Sequence, residues 1–110
     1  MIDSFRRFSS LIRNQSGASD RVLVVPTDVG KPDEVAHLFA EVQRTFGRLD
    51  VLFNNAGASA PASPIEDIAY ERWEAVVRVN LTGAFLCAQH AVRRGAQAQR
   101  RGGQCFGSRR

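Results

Sequence analysis

The sequence predicts an α/β fold built on parallel strands. Two short continuous apolar runs, "VLVV" at 22–25 and "VLF" at 51–53, carry this reading together with one amphipathic helical period between them. Unbroken β-branched apolarity, without alternation, marks a strand covered on both faces. Two such strands joined by a helix make a βαβ unit, and its crossover should be right-handed.

The elements follow in chain order. The opening "MIDSFRRFSSLIRNQ" places Phe5, Phe8 and Ile12 on one helical face, so segment 1–20 is expected to be a helix or poorly ordered. Its Arg and Ser content loosely resembles a transit peptide, but Asp3 is out of place in one. The first strand is closed by Pro26 and Asp28. Gly30, Pro32, Asp33 and Glu34 mark a helix start, since Pro fits the first turn and carboxylates suit the positive end of the helix dipole. Val35, Leu38, Phe39, Val42 and Phe46 then recur at helical spacing until Gly47 supplies the stop.

The second strand runs into "NNAG" at 54–57, and "ASAPASPIEDI" after it reads as a loop because Pro61 and Pro64 block regular structure. A second helix is expected from about Tyr70 to Val92. Its stripe of Trp73, Val76, Val77, Leu81, Ala84, Cys87 and Ala88 is read as core. From 93 to 110 the chain concentrates Gly, Gln and Arg without a period, and this segment is expected to be a basic disordered tail.

At 110 residues the chain suffices for one domain, with no apolar run near the ~20 residues that cross a bilayer. Neither a membrane span nor a membrane partner is expected. The net charge of +4 is unevenly placed: 21–92 holds six basic and nine acidic residues, whereas 93–110 holds six arginines and no acid. A mildly acidic body argues against nucleic acid as a partner. Cys87 and Cys105 lack metal-ligand or disulfide spacing, so a reduced, cytoplasmic setting and no metal are expected.

Three places could carry chemistry. Asn80 is an amide on the apolar helical stripe that either bonds a neighbouring loop, kinks the helix, or is presented to an active site. Asn54 and Asn55 stand at the carboxyl edge of the second strand, where open α/β sheets bind ligands, and Ala56 and Gly57 permit close approach. "NNAG" is equally readable as an ordinary turn. Asp28 ends the first strand on the same edge, as a turn carboxylate or a ligand group.

Taken together, "VLVVPTDV" at 22–29, the following helix, "GRLDVLFNNAG" at 47–57, Trp73 and "VNLTG" at 79–83 resemble the short-chain dehydrogenase/reductase family in order and spacing. The resemblance covers roughly 21–92. It implies a partial Rossmann fold, a doubly wound parallel sheet lacking its first two strands and its later ones. It further implies an oxidoreductase that interconverts a secondary alcohol and a carbonyl with NAD or NADP. On this resemblance Asp28 would accept a hydrogen bond from the adenine amino group beside the Val29 backbone. Asn54, Ala56 and Gly57 would pass close to the ribose, and Asn55 would tie the strand to its neighbours. Asn80 would take the catalytic asparagine's place, helping to hold a lysine and a proton-relay water.

The departures are as specific as the matches. No Thr-Gly-x-x-x-Gly-x-Gly turn precedes Arg21, and Tyr70, the only tyrosine, has Glu74 rather than a lysine four residues on. In the order 3-2-1-4, two strands would separate the segments at Val22 and Val51. The expectation is therefore a fragment from a truncated or frame-disrupted gene, marginally stable and inactive alone. The alternative is a non-catalytic remnant that binds adenine nucleotide weakly, or that associates with an intact homologue or itself through the 70–92 helix.

Overall fold

The computed structural model describes residues 22–102, so the expectation for 1–20 and the 103–110 part of the tail expected at 93–110 lie outside it. Helix α1 spans Pro32–Phe46 and has the start and stop that its sequence specifies. Pro32 occupies the first turn with Asp33 and Glu34 beside it, and no side chain caps Lys31. At the other end Gly47 adopts φ 71°, a left-handed conformation that a Cβ would strain, and its N–H donates to the Gln43 carbonyl at 2.9 Å.

A short 3-10 turn at Ile65–Asp67 leads to helix α2, Tyr70–Val77. Ala69 stands at the α2 N-cap without a side-chain bond, and the Ala69 carbonyl accepts from the Arg72 and Trp73 amides. The helical path then widens into a π-turn, Arg78–Gly83, and continues as helix α3, Ala84–Gly102. Helix α3 thus runs beyond Val92, where the apolar period ends, and 93–102, expected to open a disordered tail, is helical instead. The added residues are mostly Ala, Gln and Arg, which favour helix without needing an apolar face.

The core lies where α1 crosses α3. Val35, Phe39 and Cys87 are buried there, with Val29, Leu38, Leu49, Leu86 and Ala91 packed around them. The Phe39 ring stacks on His90 with centroids 5.2 Å apart, and Arg94 donates to the Gln43 side-chain oxygen at 3.3 Å.

Two further expectations are corrected. Of the stripe read as core on the second helix, only Cys87 is buried, while Trp73 and Leu81 are 54% and 68% exposed. A π-turn takes an extra residue per turn, so a stripe counted at 3.6 residues loses its direction at Arg78–Gly83. Above that turn, α2 packs on no other helix among the described elements.

The second correction concerns the strands. Segments 22–27 and 48–58 take no regular secondary structure, and no β-ladder joins any of the described residues. Val22–Val25 are half-buried, whereas Val51 and Phe53 are 80% and 84% exposed, not covered on both faces. A ladder needs a neighbouring chain about 4.8 Å away to exchange backbone bonds with, and none of the backbone bonds among the described residues links 22–27 or 48–58 to another segment in that way.

Candidate functional site

Two loops follow the apolar runs at 22–25 and 51–53, and both are tied to the helical path around the π-turn. The first is a tight turn at Asp28–Lys31, closed by the Lys31 N–H donating to the Asp28 carbonyl at 3.0 Å. Inside it the Gly30 N–H donates to Asp28 Oδ1 at 2.9 Å, the geometry by which aspartate mimics a backbone turn. Thr27 Oγ1 donates to the Val25 carbonyl at 3.1 Å.

Glu34 reaches back from the first turn of α1 to accept the Asp28 N–H at 2.6 Å and Lys31 Nζ at 3.0 Å. The Asp28 N–H foremost, and Lys31 after it, hold the Glu34 carboxyl below its ordinary range. Lys31 is raised in turn, chiefly by its hydrogen bond to Glu34. Both side chains are exposed, so this pair orders the turn more than it stabilises the domain.

The second loop is held by two amides. Asn54 Nδ2 donates to the Ala84 carbonyl at 3.3 Å. Asn80 grips the Ala58 backbone from both sides: the Ala58 N–H donates to Asn80 Oδ1 at 2.7 Å, and Asn80 Nδ2 donates to the Ala58 carbonyl at 2.9 Å. A Cβ at Gly57 would lie 3.6 Å from that same Oδ1, an ordinary contact.

The sequence-predicted residues therefore divide by what they do. Asp28 acts as the turn carboxylate, and its Oδ2 makes no hydrogen bond among the described residues. Asn54, Ala56 and Gly57 line an exposed loop edge. Asn80, expected to be turned inward on a core stripe, is exposed and has its amide engaged by a neighbouring loop. The widened turn explains this placement, because it presents Asn80 away from the packed face that Cys87 occupies below.

Sequence reasoning missed the residues that bind the loops to the helix. Gly83 and Gly30 are buried. A Cβ on Gly83 would stand 2.7 Å from Val29 Cγ2 and 3.1 Å from the Val29 carbonyl oxygen, so only glycine admits that contact. A Cβ on Gly30 would stand 2.9 Å from Arg78 Cγ. The readable signal was a glycine at the end of "VNLTG", inside an otherwise helical stretch.

No helix among the described residues is long and apolar enough to cross a membrane, and no cluster of metal-ligating side chains occurs among them.

This architecture has counterparts. A solved structure from Bacillus thuringiensis, assigned as a 3-oxoacyl-reductase, superposes with a TM-score of 0.72 at 24% identity, over 79% of this chain and 37% of that one. At that identity the likeness is one of fold. In sequence, a cis-4-hydroxycyclohexanecarboxylate dehydrogenase of Sinomonas cyclohexanicum is 42% identical over 76 residues, covering 69% of this chain and 30% of its own. A short-chain type dehydrogenase/reductase of Picea abies is 37% identical over 90 residues, covering 78% and 33%. An NADPH-dependent aldehyde reductase 2, chloroplastic, of Arabidopsis thaliana is 38% identical over 81 residues, covering 72% and 30%. The chain spans about a third of the length of these relatives. The family model for short chain dehydrogenase matches residues 4–104, nearly the whole sequence, and the chain belongs to that family.

Proposed function

We propose that residues 22–92 form the adenosine-facing part of a nicotinamide-dinucleotide site. The enzyme type is an oxidoreductase that interconverts a secondary alcohol and a carbonyl. One observation carries the reading: the Asp28–Lys31 turn and the Asn54–Ala58 loop are both anchored on the single helical turn around Asn80. Convergence of two carboxyl-edge loops is the arrangement in which open α/β sheets bind ligands.

The residues present fit the adenosine end of such a cofactor. Asp28 has an oxygen to spare for an amino donor, with the Val29 backbone beside it. Asn54, Ala56 and Gly57 give an exposed, low-bulk edge for a ribose. The bound dinucleotide, NAD or NADP, would supply the hydride donor or acceptor. Asn80 has both ends of its side-chain amide committed to Ala58, so it serves as a positioning group that fixes helix against loop. That is compatible with the place of the family's catalytic asparagine.

The 110-residue chain alone performs no turnover in this reading. Its single lysine, Lys31, is paired with Glu34 at 3.0 Å, and its single tyrosine, Tyr70, begins α2. Neither can form the tyrosine–lysine pair that supplies a general acid of lowered pKa. The test is nicotinamide absorbance over a panel of secondary alcohols and ketones, alongside nucleotide titration. Weak nucleotide binding without turnover is expected; turnover that survives repurification and vanishes in Asn80→Ala would overturn the inactive part.

A second reading rests on the exposed apolar side chains of the 70–92 helical path. Tyr70, Trp73, Leu81 and Phe85 are all exposed there. Such a face suits association with a second copy or an intact homologue. Light scattering across a concentration series tests it, and a strictly monomeric mass at all concentrations would exclude self-association.

A further inference from the structure

We infer that Gly83 and Arg78 are positioning residues that lock the Asp28–Lys31 turn to the helical turn bearing Asn80, so that the two halves of the site move as one body. The assignment of a ligand role to Asp28 rests on the function proposed above; the lock itself rests on packing alone. Two glycine clefts, pointing in opposite directions, make it. Gly83 on the helix receives Val29 of the turn, with its missing Cβ replaced by Val29 Cγ2 at 2.7 Å and by Val29 Cβ and O at 3.1 Å. Gly30 of the turn receives Arg78 of the helix, with Arg78 Cγ at 2.9 Å and Nε at 3.1 Å from where a Cβ would stand.

Each element thus inserts a side chain into the other's glycine, and sliding either way meets a contact. Arg78 does this with the stem around Cγ and with Nε, and its guanidinium makes no hydrogen bond or ion pair among the described residues. The same helical turn holds Ala58 through Asn80. A nucleotide that orders Asp28 and Val29 would then order the Ala58 loop through the helix, with no direct bond between the loops.

The lock has a local readout that needs no activity. The Gly30 and Lys31 amides are bonded within the turn, to Asp28 Oδ1 and to the Asp28 carbonyl. Amide exchange in the full chain is compared for Gly83→Ala, Arg78→Ala and Arg78→Met, with the Gly47 amide at the far end of α1 as reference. Gly83→Ala should speed exchange at Gly30 and Lys31 by about fivefold or more, the scale of an energetic coupling between sites, and leave Gly47 unchanged. Adding Val29→Ala should recover part of that loss by removing Cγ2. Arg78→Ala should act like Gly83→Ala, whereas Arg78→Met, which keeps the stem, should not.

Unchanged exchange at Gly30 and Lys31 in both Gly83→Ala and Arg78→Ala overturns the lock. So does equal acceleration at Gly47, which would report general loss of structure. If Gly83→Ala does not fold, the Arg78 pair decides the matter. AMP titration of the same samples separates the two layers: AMP-induced shifts at Asp28 and Val29 that weaken in Gly83→Ala support the ligand role. Their absence in the unsubstituted chain sinks that role and leaves the lock to the exchange result.

Discussion

Replacing Asn80 with alanine removes two hydrogen bonds at once and exposes how the Ala58 loop is held. The bonds measure 2.7 and 2.9 Å, both end on the Ala58 backbone, and both lie at an exposed position. Water can replace them, so the low to middle part of the usual net value applies, about 0.5–1 kcal/mol each and about 1–2 kcal/mol together. At 1.4 kcal/mol for each factor of ten, that predicts about five- to thirtyfold faster exchange of the Ala58 amide. The assay is residue-resolved amide exchange, with Lys31 and Gly47 as internal references because their bonds do not involve Asn80. Acceleration confined to Ala58 and its neighbours is expected. Unchanged Ala58 exchange in a folded Asn80→Ala variant would refute the claim that this amide fixes helix to loop.

Three further outcomes follow from the packing and the charges. Phe39→Ala, in the small core at the α1–α3 crossing, should cost about 3–5 kcal/mol. That approaches the lower end of the usual stability of a small domain, about 5–15 kcal/mol, and a core of three buried residues places this chain at that end. Circular dichroism should therefore lose most of its helical signal, and retention of full helicity would contradict that account of the core. Glu34 titrates below the ordinary glutamate range, so its contribution is complete above the unfolded-state pKa and disappears as pH falls through the lower folded value. The Asp28 amide shift should follow that depressed midpoint and stop responding in Glu34→Gln; an ordinary glutamate midpoint would count against the bond. Burial raises the Cys87 thiol pKa, so alkylation should be slow in the folded chain and rapid in urea, and equal rates would mean that the thiol is not enclosed.

How much of this was legible depended on whether a signal was local. Helix α1 was readable to its ends because Pro32, the acidic first turn and Gly47 each act on their own backbone. Val22–Val25 and Val51–Phe53 were read as strands, but they form no ladder among the described residues, since a ladder depends on what lies beside a segment. The stripe on the second helix was overread because periodicity cannot announce a π-turn, and Trp73 and Leu81 are exposed as a result.

At the site, residue types pointed to the right places and left the bonds open. Asn80 could bond a neighbouring loop or face an active site, and the structure gives the loop bond. Glu34 was read as a carboxylate favoured by the helix dipole, yet it reaches back to the Asp28 N–H. Gly30 and Gly83 could not be read as clefts, because a cleft is defined by the side chain that arrives from elsewhere. Each of these bonds or contacts links residues several to dozens of positions apart, which no local spacing rule encodes.

In the proposed site the Asp28 turn and the Asn54–Ala58 loop together face a dinucleotide. NMR titration of the isotope-labelled chain with NAD or NADP tests it most directly, reading every backbone amide at once. The account predicts weak, saturable shifts concentrated at Asp28, Val29, Gly30 and 54–58, with the Gly47 end of α1 silent. Saturable shifts centred elsewhere, or none at Asp28 and Asn54 at cofactor concentrations that saturate an intact family member, would contradict it.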